Sequence, residues 1–267
     1  MPKPSAIAIG AHPDDIEFCM TGTLLQLKGV GWTIHYFNLS RGNLGSVKMS
    51  SAKTTRTRAK EARAAAKTLG AKYHPSVCDD LEIMYDVPTL RKVSAVIRKS
   101  KASIVLTHSP VDYMEDHTNT CRLVVTAAFT HGMPNFKSTP ATKSYRQNVT
   151  VYHGMPHSLR DPLRKRVTPG AFVNTTDVHQ KKIEALAAHE SQQDWLDVSQ
   201  GMNSYLTAAE DMSRMVGRLA KKFKHAEGWR RHLHYGFSSK EVDPLKEALG
   251  KKYLVNQQYE RSLEKGN

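Results

Sequence analysis

The stretch Ser5-Ala-Ile-Ala-Ile-Gly10-Ala-His-Pro-Asp-Asp15 decides how this chain is interpreted. Its first six residues form a short apolar run bounded by Pro4 and Gly10, which is typical of a buried parallel strand. A helical pattern follows Asp15, so one histidine and two carboxylates lie where a first strand passes into a first helix. In open α/β sheets, ligands bind in such turns, at the carboxyl ends of the strands. The stretch therefore predicts a ligand site at the end of the first strand.

The chain continues with strands that alternate with helices of about 10–15 residues, which predicts an α/β, Rossmann-like three-layer fold with a doubly wound, mostly parallel sheet. The predicted strands are Ser5–Gly10, Trp32–Ser40, Ala71–Val77 and Ser103–His108. The predicted helices are Ile16–Lys28, Thr57–Leu69, Pro88–Lys99 and Thr118–Thr130. Residues 48–55 are predicted to be a polar loop over the site.

Beyond Gly132 the alternation weakens, and we expect extra C-terminal strands and helices. These are strands Asn148–His153 and Ala171–Asn174, helices Val178–His189 and Ala208–Lys222, and a charged, peripheral tail after Phe237. The sequence contains neither an internal repeat nor a clear linker. Residues 1–267 are therefore predicted to form a single domain.

Composition limits the functional classes. The formal net charge is +14, which could attract an anionic partner, but the basic residues are spread in pairs without interleaved aromatic residues. Charge of this kind gives only salt-sensitive attraction, so specific nucleic-acid binding is not expected. The three cysteines are widely spaced and indicate reduced thiols in the cytoplasm. No run approaches the roughly 18 apolar residues of a membrane span.

His12 and Asp15 lie three residues apart across the first turn and suit Zn²⁺ or a similar divalent ion. His117 follows the fourth predicted strand and is the best candidate for a third ligand. Three protein ligands leave a position open for water, as in catalytic sites. Asp14 is then a spare carboxylate that can take a proton from that water. The set predicts metal-assisted hydrolysis of an amide or ester.

Simpler interpretations exist for each residue. The motif at His12 could be only a helix N-cap followed by acidic first-turn residues. His108, at the end of the fourth strand, is as well explained by a buried structural histidine as by a catalytic one. The remaining histidines, His157 among them, are expected to be structural or on the surface. The first turn and the segment Asp112–His117 both follow predicted strands, and their combination favours a functional site over these simpler interpretations.

These residues resemble the LmbE-like/PIG-L-like superfamily of zinc-dependent N-deacetylases. The likeness rests on four segments, which together span residues 5–192. They are Ala11-His-Pro-Asp-Asp-Ile-Glu17 with Thr21-Gly-Thr-Leu24, Arg58–Glu61 with Leu69-Gly70, Asp112-Tyr-Met-Glu-Asp-His117, and Ala188-His-Glu-Ser-Gln192.

The resemblance implies a Rossmann-like three-layer fold and removal of acetyl from N-acetylglucosaminyl-type substrates. It implies His12, Asp15 and His117 as zinc ligands and Asp14 as general base. Arg58 and Asp79 are expected at the substrate, and Asp112 is taken with them as a substrate-binding acid. Relatives form various homo-oligomers, so self-association is a further expectation.

Met114 differs from the family pattern, because many members have a histidine at this position. A thioether cannot protonate a leaving amine. His108 or His189 is expected to replace that group, with Asp14 itself as a further possibility. A Tyr-Met-x-Asp-His version also resembles a recurrent subgroup. The sequence thus predicts a zinc-dependent N-deacetylase of acetylamino sugars. The alternatives are a basic carbohydrate- or polyanion-binding protein without activity, and an amidase or esterase with a non-sugar substrate.

Overall fold

The computed structural model describes residues 3–200 and 205–264. Eight strands lie in one sheet: β1 Ser5–Gly10, β2 Thr33–Asn38, β3 Lys72–His74, β4 Ile104–Thr107, β5 Thr150–Gly154, β6 Ala171–Asn174, β7 Ala226–Arg231 and β8 Tyr253–Val255. The described residues also form ten helices: α1 Asp15–Cys19, α2 Thr21–Gly29, α3 Ser51–Leu69, α4 Val87–Ser100, α5 Glu115–Phe129, α6 His179–Leu186, α7 Glu190–Gln200, α8 Tyr205–Ala220, α9 Pro244–Leu249 and α10 Gln257–Glu264.

The order of strands across the sheet is β3-β2-β1-β4-β5-β7-β6-β8. The first five are parallel, whereas β7, β6 and β8 extend the sheet with antiparallel pairings. This confirms the predicted α/β class with extra C-terminal elements. The order in which strands are added reverses at β1: β2 and β3 lie on one side of it, and β4 and β5 lie on the other. In parallel α/β sheets a ligand crevice forms at such a point.

Strand β1 shows why the fold has three layers. Ala6 and Ala8 pack on one face of the sheet, with Leu24 of α2 and Ala66 of α3. Ile7 and Ile9 pack on the other face with residues of α4 and α5, which include Val93 and Val124. A strand that is buried on both faces becomes a continuous apolar run, which is the pattern seen in the sequence.

Several predicted boundaries were wrong. The predicted helix Ile16–Lys28 is two helices, because Met20 has a non-helical backbone with φ −133° between α1 and α2. Helix α3 begins at Ser51, so part of the predicted loop 48–55 is helical. Strand β3 covers only Lys72–His74 of the predicted Ala71–Val77.

The C-terminal part differs most. The polar stretch after His189 is helix α7, and strand β7 was not predicted. The tail after Phe237 is not peripheral, because β8 pairs with β6 and Leu245 and Leu249 of α9 are buried in the core. The prediction of one domain over residues 1–267 includes residues 1–2, 201–204 and 265–267, which lie outside the described residues, and it stays a prediction.

None of the helices in the described ranges is both long enough and apolar enough to cross a lipid bilayer.

Candidate metal and catalytic site

The turn after β1 brings the motif residues to the crevice beside β4. Gly10 ends the strand where a Cβ would lie 3.0 Å from both Asn38 Oδ1 and Asp15 Cβ, so the close approach of Asp15 requires glycine. Asp14 follows with φ 110°, a left-handed conformation that is strained for most residues but less so for aspartate. The turn therefore directs the Asp14 and Asp15 side chains into the crevice, because both line the same cavity.

That cavity has a volume of about 540 Å³, which is in the range of small-molecule sites. Loops after β1, β4 and β5 and residues of α7 surround it. The lining includes His12, Asp14, Asp15, Phe18, Arg58, Asp80, Leu81, His108, Asp112, Tyr113, Met114, His117, His157, Arg160, Arg164, Gln192 and Trp195.

His12, Asp15 and His117 form a compact group of possible metal ligands. One donor atom from each lies within 4.8 Å of the other two. His12 Nδ1 is 3.5 Å from Asp15 Oδ2, and His117 Nε2 is 3.3 Å from Asp15 Oδ1. The fold therefore brings together three residues that the sequence predicted as ligands: His12 and Asp15 from the turn into α1, and His117 from the first turn of α5.

The opposite nitrogen of each imidazole is held by a carboxylate. His12 Nε2 is 2.9 Å from Asp116 Oδ2, and His117 Nδ1 is 3.0 Å from Asp112 Oδ1. Metal-binding histidines characteristically donate their second N–H to such a partner, which orients the ring toward the ion. The arrangement of the four side chains thus fits a divalent ion at Asp15.

The electrostatics of this group also favour a cation. Burial works against a charged ring, but hydrogen bonds to Asp116 and Asp15 raise the pKa of His12 to about 9. Burial likewise opposes charge on His117, yet the charge of Asp15 and the hydrogen bond that His117 donates to Asp112 raise its pKa to about 10. Carboxylates that attract protons so strongly onto two imidazoles will attract a metal ion to the same place.

A second overlapping group, His108, Asp112 and His117, is a weaker candidate. The Ala11 N–H donates to His108 Nε2 over 2.9 Å, which occupies the lone pair that a metal would need. Asp112 Oδ1 is already engaged by His117 Nδ1. Burial lowers the pKa of His108, and the neutral ring stacks on His117 with centroids 4.2 Å apart. His108 therefore supports the His117 ring.

Asp14 lies beside the ligand group without belonging to it. Tyr205 donates its hydroxyl to Asp14 Oδ2 over 2.8 Å, and the Arg58 guanidinium is 4.0 Å from Oδ1. Burial raises the pKa of Asp14 to about 6, and the positive charge of Arg58 opposes this rise. A carboxylate with this pKa is suited to accept and return a proton near neutral pH.

The other predicted site residues lie in different surroundings. Arg58 lines the cavity but is only 2% exposed, and it donates to Pro13 O over 2.7 Å, so it also holds the turn that carries Asp14. Asp79 lies outside the cavity lining and pairs with Arg41 at 2.6 Å, whereas its neighbour Asp80 lines the cavity. His189 is fully buried behind the lining, 3.3 Å from Glu17 Oε1. The fold brings neither Asp79 nor His189 to the cavity wall.

Sequence reasoning missed four residues of the site. Asp116 stood next to a proposed ligand, and its role could have been inferred from the acid-histidine pattern. Tyr205 lies 191 residues from Asp14 and carries no local signal. His157 was predicted to be structural or on the surface, and Trp195 lay in a stretch without a predicted role, yet both line the cavity.

The chain is similar to a known protein family and to several known enzymes. Residues 7–128 match the family model described as "PIG-L: GlcNAc-PI de-N-acetylase". The chain is 28% identical over 192 residues to diacetylchitobiose deacetylase of Thermococcus kodakarensis, which is 70% of this chain and 69% of that protein. It is also 28% identical over 200 residues to 4-oxalmesaconate hydratase of Pseudomonas putida, which is 72% of this chain and 75% of that protein.

A solved structure shows the same fold. It is N,N'-diacetylchitobiose deacetylase of Pyrococcus horikoshii, with a TM-score of 0.72, an identity of 21%, and coverage of 90% of this chain and 88% of that one. The two acidic motifs, residues 11–17 and 112–117, lie inside the segment that matches the family model. Tyr205 and His157 lie outside that segment. Residues 7–128 thus match the PIG-L (LmbE-like) family that the sequence motifs resemble.

Proposed function

We propose that this protein is a zinc-dependent N-deacetylase that removes the acetyl group from an acetylamino-sugar substrate. The observation that carries the proposal is the convergence of His12, Asp15 and His117 at the cavity, with Asp14 beside them but outside the ligand group. The names of two relatives, which are deacetylases of an acetylated amino sugar, support the choice of substrate class.

His12, Asp15 and His117 would hold the ion, and Asp112 and Asp116 orient the two imidazoles toward it. A divalent ion bound there supplies Lewis-acid polarisation of an acyl carbonyl and lowers the pKa of a water molecule. The protein contributes the remaining proton chemistry through Asp14.

Asp14 takes one proton from the attacking water as the new carbon–oxygen bond forms. Its pKa of about 6 leaves it largely ionised at neutral pH, so it is ready to act as a base. When the carbon–nitrogen bond breaks, the same carboxyl group can return the proton to the amine. The products are acetate and a free amino sugar, and Asp14 ends in its starting state.

Met114 lines the cavity, but its thioether has no proton to donate. A second proton donor must therefore come from another residue. Four histidines line the cavity. His12 and His117 belong to the ligand group, and His108 accepts from the Ala11 N–H. We propose His157, on the loop after β5, as the imidazole that assists the leaving group, in preference to His108 or the buried His189.

The outer part of the cavity has the chemistry of a sugar-conjugate site. Trp195 and Tyr113 offer aromatic surfaces of the kind on which sugar rings stack, and Arg160 and Arg164 lie at the same wall. Asp80 replaces Asp79 as the acid that reaches the cavity, although its oxygens also accept from Gly42 N–H and Leu44 N–H. The arginines favour a substrate whose second half carries a negative charge.

The test is an acetate-release assay with zinc-loaded protein. The panel contains N-acetylglucosamine, its disaccharide, and conjugates with neutral or anionic second halves, and the control is the chelated protein. The proposal predicts acetate release that depends on metal and is faster with the anionic conjugates. If none of the conjugates is hydrolysed with zinc, cobalt, manganese or iron, the deacetylase proposal is wrong.

Hydration of an unsaturated carboxylate is a second candidate function. The observation that favours it is the hydratase among the relatives, together with Arg160, Arg164 and Met114 at the cavity. Here Asp14 would take a proton from water that adds across a carbon–carbon double bond. Loss of the ultraviolet absorbance of a conjugated dicarboxylate, without release of acetate from any amide, would favour this function over deacetylation.

A further inference from the structure

A second group of metal-type side chains lies outside the cavity. His179 begins α6, Glu210 lies in α8, and His225 directly precedes β7. One donor atom from each lies within 4.8 Å of the other two. None of the three lines the cavity that contains Asp15. The group therefore requires an explanation separate from the proposed catalytic site.

The two imidazoles are arranged around one carboxylate. Their rings stack with centroids 3.8 Å apart and an interplanar angle of 6°. His225 Nε2 is 2.9 Å from Glu210 Oε1, and His179 Nε2 contacts Oε2. Both Nε2 atoms thus point toward the same anionic group. Imidazole nitrogen with carboxylate oxygen is the donor set preferred by zinc and its neighbours in the first transition row.

Burial and charge suit a bound ion. His179 and His225 are 6% and 5% exposed, whereas the side chain of Glu210 is 26% exposed, so the group has an opening to solvent on the carboxylate side. Arg214 donates from Nε to Glu210 Oε1 and helps to orient the carboxylate.

We propose that His179, Glu210 and His225 form a second divalent-metal site, which links α6, α8 and the start of β7. Water fills the remaining coordination of such a three-ligand site. Helix α8 also carries Tyr205, whose hydroxyl donates to Asp14, so an ion bound here would help to fix the helix that positions Asp14.

This site is weaker than the one at Asp15. The Nδ1 atoms of His179 and His225 are buried without a hydrogen-bond partner among the described residues. At the first site, Asp116 and Asp112 engage the corresponding nitrogens. Loss of such a partner typically costs 10–100-fold in metal affinity. A mild chelator is therefore expected to remove the second equivalent of metal first.

The test counts zinc and cobalt(II) equivalents bound to the full chain after dialysis, by elemental analysis and by the cobalt absorption spectrum. Wild type is expected to bind two equivalents. The His12→Gln/His117→Gln variant and the His179→Asn/His225→Gln variant are each expected to bind one. Arg218→Gln is the matched control, because it removes a positive charge from an exposed position of the same helix α8 outside the group, and it is expected to keep two.

Two results would overturn the proposal. One is a single equivalent in wild type that disappears in His12→Gln/His117→Gln. The other is a second equivalent that survives in His179→Asn/His225→Gln. If the latter variant does not fold, the count in His12→Gln/His117→Gln decides, because one remaining equivalent supports the second site and none refutes it. Neither count depends on acetate release, so failure of the deacetylase proposal leaves this test intact.

Discussion

Tyr205 of α8 donates its hydroxyl to Asp14 Oδ2 over 2.8 Å, and thereby joins the C-terminal half of the chain to the turn after β1. Tyr205 is 1% exposed, so the bond is shielded from water. A hydrogen bond to the ionised form of a carboxyl favours that form. The contact therefore both positions the proposed base and keeps its pKa lower than burial alone would.

Tyr205→Phe should slow the reaction while the fold is kept. Loss of a hydrogen bond to a charged group costs about 1.5–3 kcal/mol, so kcat should fall roughly 10–100-fold. The pKa of Asp14 should rise, and since the base works as a carboxylate, the acidic limb of the pH–rate profile should move to higher pH. Tyr145→Phe is the matched control, because its buried hydroxyl donates to Ala102 O away from the site. Equal rates in both variants would contradict the assigned role.

Asp116→Asn should weaken metal binding without removing a ligand. Asp116 Oδ2 accepts from His12 Nε2 and from the Leu81 N–H, so it fixes the ring whose other nitrogen faces Asp15. Loss of this kind of partner lowers metal affinity about 10–100-fold. Competition with a fluorescent zinc chelator measures the change. Glu115→Gln, at the exposed neighbouring position, serves as the control and should bind zinc as wild type does.

The buried pair of Lys182 and Glu227 should dominate the stability of the region behind the site. Glu227 accepts from the Gly22 N–H, the Thr23 N–H and Lys182 Nζ, over 2.8, 2.7 and 2.9 Å. Glu227→Gln leaves the ammonium group buried without a counter-charge, which costs about 3–5 kcal/mol of unfolding free energy. Urea denaturation measures the loss.

The double variant Lys182→Met/Glu227→Gln separates charge from packing in the same experiment. It removes the isolated ammonium group and should recover part of the stability lost in Glu227→Gln. A double variant that is less stable than Glu227→Gln would show that the pair does not act through uncompensated charge.

The stacked pair His35 and His74 should make the protein sensitive to mild acid. Burial and the neighbouring ring lower the pKa of His35 to about 3, and burial lowers that of His74 to about 4. The unfolded chain protonates near pH 6.5 while the folded chain does not, so stability falls as pH drops below about 6.5. Each histidine contributes at most about 1.4 kcal/mol per pH unit.

His35→Phe should therefore flatten the dependence of unfolding free energy on pH between 7 and 5, whatever its effect at pH 7. Guanidinium denaturation at pH 7, 6 and 5 measures the slope. Ile34→Val, a neighbouring core change without a titrating group, should leave the slope unchanged. A slope in His35→Phe equal to that of wild type would show that His35 is not the acid-sensitive group.

Strands β1 and β4 were predictable because each is an apolar run that is buried along its whole length. Strand β7 was missed because Glu227 and Arg230 interrupt that pattern. The charge of Glu227 is explained by the N–H groups of Gly22 and Thr23, which are 205 and 204 residues away, and by the Lys182 ammonium group, which is 45 residues away. A local sequence pattern does not reveal partners that lie so far away along the chain.

The residues of the candidate site likewise divide into those that the sequence predicted and those that it did not. His12, Asp14, Asp15 and His117 follow strand ends and could be named from order along the chain. Tyr205 and His157 reach the site only through the packing of C-terminal elements that carried no motif. Cytoplasmic location and self-association stay predictions from the sequence.

Acetate release by Asp14→Asn, measured together with its bound zinc, tests the central claim most directly. Asparagine tolerates the left-handed φ of 110° at this position, so the turn should be kept. The account predicts that the variant binds zinc as wild type does at His12, Asp15 and His117, while kcat for the best acetylamino-sugar conjugate falls at least about 100-fold. A variant that keeps its zinc and hydrolyses that conjugate at the wild-type rate would contradict it.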